Sequence, residues 1–113
     1  MSQHRFRRIA LSLPEVIEGA HKGHADFRLG KRIFATLGYP DEEWGMVKLT
    51  PEQQSMVVEA EPEIFRPVPG GWGKGGSTNV RLKNADTTTL RSALTLAWNN
   101  VAPRSPSRPR EKR

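Results

Sequence analysis

Residues 24–37 read HADFRLGKRIFATL, and this stretch decides the fold. Ala25, Phe27 and Leu29 alternate with Asp26 and Arg28, the period-2 pattern of a strand with one apolar face. Gly30-Lys31 is a turn signal, because glycine enters positive φ without a steric penalty. Ile33, Ala35 and Leu37 continue as a second strand, with Phe34 on the opposite face. The stretch therefore predicts a β-hairpin. An acidic loop over 39–43 and a third strand, WGMVKL at 44–49, follow it.

Helical patterns lie on both sides. Upstream, Phe6, Ile9, Ala10 and Leu13 recur at three-to-four spacing, and Pro14 stops that helix. Residues 15–23 lead into the hairpin. Downstream, Thr50-Pro51-Glu52-Gln53 reads as a capping box with proline at the first helical position. Met56, Val57 and Ala60 supply the stripe of this second helix, and Pro62 ends it. Residues 66–76, RPVPGGWGKGG, carry two prolines and five glycines and predict no regular structure. Residues 78–83, TNVRLK, alternate as a strand with Val80 and Leu82 inward. Leu90, Ala93, Leu94, Ala97, Trp98 and Val101 then form one continuous helical stripe, capped by Asp86 or Thr87.

The predicted order is α-β-β-β-α-β-α. Hairpin-linked strands with helices to one side make an α+β two-layer sandwich: an antiparallel sheet of about five strands with three helices. Residues 1–102 form a single domain on this reading. The tail 103–113, PRSPSRPREKR, has no apolar residue and is expected to be disordered.

The chain has 113 residues and no cysteine, so disulfides, thiolate metal sites and cysteine nucleophiles are excluded. No apolar run is long enough to span a bilayer, and the N-terminus lacks the apolar core of a secretory signal. A cytoplasmic monomer without membrane contact is expected. The formal charge is +6, but it is unevenly placed. Residues 1–8 carry +3 and residues 103–113 carry +4, while residues 9–102 carry −1. Within the domain, 22–32 and 66–91 are basic and 41–63 is strongly acidic.

No constellation predicts catalysis, a metal or a cofactor. His21 and His24 are three apart in extended sequence, so they point to opposite faces and ligate jointly only with difficulty. PGGWGKGGST departs from a phosphate-binding P-loop, since Gly75 follows Lys74 and a strand follows the loop. A loop tip carrying Trp72 and Lys74 can instead lie beside a nucleic-acid backbone. Arg81 and Lys83 share a strand face opposite Val80 and Leu82, which suggests a solvent-facing basic patch.

The motifs LPEV-x-EG, F-R-L-GK-R-IFATL, VKL-x-PE-x-Q, F-R-P-x-PGGWG-K-x-G and T-x-V-R-L, followed by AW in the last helix, resemble the MmcQ/YjbR family over residues 5–102. The resemblance implies a compact α+β sandwich with an antiparallel sheet, compared in that family to a double-wing arrangement and labelled DNA-binding. It implies no catalytic residues. One departure is Ser77, where similar sequences often carry a second tryptophan. The expected function is therefore a non-enzymatic module with weak, salt-sensitive DNA or other nucleic-acid binding. Its contacts would be Arg28, Lys31, Arg32, Lys74, Arg81 and Lys83, assisted by the tail. The alternative is a small-molecule or protein-binding domain with a pocket between the sheet and the Pro-Gly-Trp loop, lined by His21, Trp72 and Trp98.

Overall fold

In the computed structural model, which describes residues 3–102, the last apolar stripe folds as helix α4 (Thr87–Val101). Leu90, Ala93, Leu94, Ala97 and Val101 are buried along it. Helix α1 (Gln3–Ser12) buries Phe6, Ile9 and Ala10 and ends two residues before Pro14. Helix α2 (Pro51–Ala60) starts with the expected capping box: Thr50 Oγ1 accepts the Gln53 N–H at 3.1 Å, and Gln53 Oε1 accepts the Thr50 N–H at 3.0 Å. Residues 1–2 and the tail 103–113, with its expected disorder, lie outside the described residues.

The sheet has six strands in the order β1-β2-β3-β4-β6-β5, all antiparallel. They are β1 (Val16–His21), β2 (His24–Leu29), β3 (Arg32–Leu37), β4 (Trp44–Lys48), β5 (Phe65–Pro67) and β6 (Ser77–Arg81). The α+β antiparallel class stands, with one strand and one helix more than expected. β1 comes from residues 15–23, a presumed lead-in. Its two-residue turn, Lys22-Gly23 at φ 54° and 82°, has the positive-φ pair of a type I′ hairpin. Within 66–76, Arg66 and Pro67 belong to β5, and Gly71–Lys74 form a one-turn helix, α3. Proline is tolerated in β5 because that strand is at the sheet edge. β6 ends at Arg81, and Leu82–Asn84 turn into a 3₁₀-helix.

Two packing expectations change, and the face on which Trp44 is buried was not anticipated. β2 and β3 pair as Phe27 with Ala35 and then Arg28 with Ile33, so Phe34 is the extra residue of a bulge. The bulge turns Phe34 into the core with Ala35 and Leu37, and leaves Ile33 half-buried on the other side. Helix α2 exposes Met56 and Ala60 and tucks Gln53, Gln54, Val57 and Val58 inward, because the two glutamines hydrogen-bond what they cover. Trp44 is buried, yet it lies outside the apolar core that α1, α2 and α4 cover. Its neighbours Gly45 and Val47 face that core: a β-carbon on Gly45 would fall 2.6 Å from the Phe6 ring. Trp44 therefore faces the opposite way, onto the side of the sheet free of α1, α2 and α4.

Asp86 caps α4 by accepting the Thr89 N–H at 2.7 Å, and that bond holds its carboxyl below the ordinary pKa of 3.8. A depressed folded-state pKa stabilises the fold above the ordinary value, and this contribution fades as pH falls through the folded value. Asp86→Asn keeps a capping oxygen without the charge. The stability gap between wild type and this variant is expected to close below pH ~4 in thermal melts from about pH 2 to 6. A gap unchanged across that range would mean that the charge contributes nothing.

Candidate nucleic-acid interface

Pairing carries one register row across all six strands: Gly19, Asp26, Thr36, Met46, Asn79 and Arg66. Alternation puts this row on the helix-free face, with Ile17, Arg28, Trp44 and Arg81 two residues along their strands. The registers also define two ends of the sheet. One end has the Gly30-Lys31 turn, Lys48 and Ser77, and the other has Trp44, Arg81 and the His21–His24 turn.

The six predicted cations divide between these ends. Arg28 lies on the helix-free face, where its Nε and Nη2 donate to the two oxygens of Asp26 at 2.7 and 3.1 Å. The Asp26 side chain is 1% exposed, so its charge is neutralised in place. Hydrogen bonding first and charge second hold the Arg28 guanidinium above its ordinary pKa. Gly19 makes room for the pair, since a β-carbon there would fall 3.0 Å from Asp26 Oδ1 and 3.1 Å from Arg28 Nε. Lys31 and Arg32 are exposed at the β2–β3 turn, and Lys74 is exposed at the end of α3. These four cations share the Lys48 end of the sheet. Arg81 lies at the other end. Lys83 is exposed on the 3₁₀-helix, so it does not continue the strand alternation that was to align it with Arg81.

The three residues assigned to a pocket do not converge. The backbone of His21 ends β1, at the edge opposite β5, and its side chain lies outside the described part of the structure. Trp98 packs against the core from α4 and donates its indole N–H to the Pro14 carbonyl at 3.0 Å. Trp72 is 70% exposed on α3. Together with Lys48, Leu49, Gly71, Gly75 and Ser77 it lines an open groove of about 480 Å³. The Lys48 ammonium sits 5.7 Å from the Trp72 ring centroid. Among the described residues, no group of three or more His, Asp and Glu side chains is placed to hold a metal ion. No described helix is long and apolar enough to cross a membrane.

The glycine-rich segment is tied down by a residue the sequence reading had not singled out. Gln54 Nε2 donates to the Gly73 and Ser77 carbonyls, at 2.9 Å each. The Val68 N–H reaches the Ser77 carbonyl at 3.0 Å and the Gly75 N–H reaches the Gly71 carbonyl at 3.1 Å. Gln54 is the glutamine of the PE-x-Q motif, so the motif fixes the helix start and also anchors the loop that presents Trp72. Two arginines were also given no part in a stack. Arg66 places Cζ 4.0 Å from the Trp44 ring centroid, and Arg81 places its Cζ 5.0 Å from it.

The fold has a solved counterpart. The crystal structure of Deinococcus radiodurans protein DR2400, a DUF419-domain protein, superimposes with a TM-score of 0.70 at 18% identity, covering 93% of this chain and 83% of that one. Identity that low supports the shared fold alone. No functionally curated protein matches the chain. Residues 11–100 match the YjbR family, a span that takes in all six strands and every cation and tryptophan placed above, and the chain belongs to that family.

Proposed function

We propose that the domain binds single-stranded nucleic acid at the end of the sheet that carries Trp72. The observation that carries this reading is the 70% exposure of an indole on a loop held by hydrogen bonds. A tryptophan left in water forgoes the gain of burial, roughly 2 kcal/mol or more for a large side chain. Fixed with its face open, it gives an unpaired base a stacking surface worth about 1–3 kcal/mol. Lys48 beside the ring and Lys74 at the end of its helix can meet the phosphates on either side. Lys31 and Arg32 extend the cationic edge. Arg28, neutralised by Asp26, supplies less charge than its position suggests. A duplex offers no exposed base face, so single strands are favoured.

A small ligand in the same groove is the second reading, favoured by a volume within the 300–1,000 Å³ range of ligand sites. Affinities for single-stranded and duplex oligonucleotides across a salt series separate the two. Trp72→Ala is expected to weaken single-strand binding about tenfold or more. Lys74→Gln should reduce the slope of log affinity against log salt by about 0.7. A full-length variant with the tail cations replaced by glutamine tests the tail. If that variant loses binding while Trp72→Ala keeps it, the domain is not the reader, and the groove becomes a site for small molecules.

A further inference from the structure

We propose that Arg66, Arg81 and Asn79 form a phosphate-binding site over Trp44, at the end of the helix-free face away from Trp72. The site is independent of the Trp72 reading. Both arginines lay a guanidinium against the same indole, at 4.0 and 5.0 Å from its centroid. Stacking occupies the flat face of a guanidinium and leaves its N–H edge available. Neither guanidinium has a carboxylate partner or a hydrogen bond among the described residues. Glu43 and Glu63 are close by in the chain, where their carbonyls accept from the Leu82 N–H and Asn84 Nδ2, but neither carboxylate pairs with Arg66 or Arg81. Two unneutralised cations thus pack against one ring.

Asn79 is the independent observation. It pairs across the ladder with Arg66, precedes Arg81 by two residues, and faces the same way as both. It is 2% exposed, and its side chain has no hydrogen-bond partner among the described residues. Buried carboxamides are normally paired, and leaving one unpaired is costly. An amide donor on the same face as two guanidinium groups fits a tetrahedral oxyanion, which accepts from all three. Arginine forks on a rigid platform suit phosphate better than a lone lysine.

The test follows the arginine Nε–H, Trp44 indole and Asn79 amide signals of the full-length protein by NMR. Inorganic phosphate, a 5′-mononucleotide and a 5′-phosphorylated single strand are each titrated at fixed ionic strength, with chloride as control. Saturable shifts at Arg66, Arg81, Trp44 and Asn79 are expected. Arg66→Gln and Arg81→Gln should each weaken phosphate about tenfold, while Arg91→Gln, at an exposed position on α4, leaves it unchanged. Arg66→Lys keeps the charge and should still weaken binding, because the fork is lost. Equal affinity for phosphate and mononucleotide would identify free phosphate as the ligand, and a gain for the strand would identify nucleic acid. Shifts that chloride reproduces, or that survive Arg66→Gln in a folded protein, would overturn the site. Phosphate binding that persists in Trp72→Ala while strand binding is lost would support both sites. Strand binding that moves Trp72 but not Arg66 or Arg81 would leave only the first.

Discussion

Gly76→Ala is expected to destabilise the domain by about 3 kcal/mol or more, near the upper end for single substitutions. Gly76 has φ +113°, a region that side chains rarely enter. A β-carbon there would fall 1.9 Å from the Leu49 carbonyl oxygen, 2.8 Å from its carbon and 2.9 Å from the Thr50 carbonyl carbon. All of these atoms are backbone, so no flexible side chain can yield. Relief would move the end of β4 away from β6. That motion loosens the Lys48–Ser77 pair, the Leu49 N–H bond to the Gly76 carbonyl at 3.3 Å and the Thr50 cap of α2. For a domain of this size the melting temperature should drop by roughly 10–20 °C. Gly71→Ala is the control: it begins α3, no atom lies within 4 Å of its added carbon, and its φ is not positive. It should change stability by less than about 0.5 kcal/mol. A Gly76→Ala protein as stable as Gly71→Ala would mean that the Leu49 carbonyl is not where the fold places it.

Legibility followed the range of the interactions. The α4 stripe and the Thr50 and Asp86 caps are local, and each was readable because its residues lie within a turn or two of one another. β1 was not, since Val16 and Ile17 adjoin and Gly19 interrupts the alternation. Gly19 is there to leave space for Asp26 and Arg28, which a pairing register reveals and a single strand does not. β5 and α3 were hidden by prolines and glycines that an edge strand and a single helical turn tolerate. The same limit applied to the site. An aromatic at the start of a strand reads as core, and only the order β4-β6-β5 brings Arg66 across to Trp44. The PE-x-Q glutamine shows the converse: its capping neighbour Gln53 was evident, while the reach of Gln54 to Gly73 and Ser77 depends on tertiary packing.

The bulge in β3 yields the second large effect. Phe34→Ala is expected to cost about 3–5 kcal/mol, the usual range for a fully buried aromatic, whereas Ile33→Ala should cost roughly 1 kcal/mol or less. Strict alternation from Ala35 and Leu37 would rank the two residues the other way, with Ile33 inside. In that register Arg28 would pair with Phe34 and Leu29 with Ile33, leaving the loop Gly30-Lys31-Arg32. The observed pairing of Leu29 with Arg32 closes a two-residue turn with Gly30 at φ +66°, the first central position of a type II′ hairpin. The turn and the aromatic burial therefore select the same register. Fully burying the larger side chain outweighs one disrupted ladder position, since transfer of a phenylalanine gains about 2–3 kcal/mol and a net hydrogen bond about 1. Urea denaturation of both variants decides the matter. If Ile33→Ala proved the costlier, the hairpin would run without a bulge, and the basic turn residues Lys31 and Arg32 would exchange the faces they present to a bound strand.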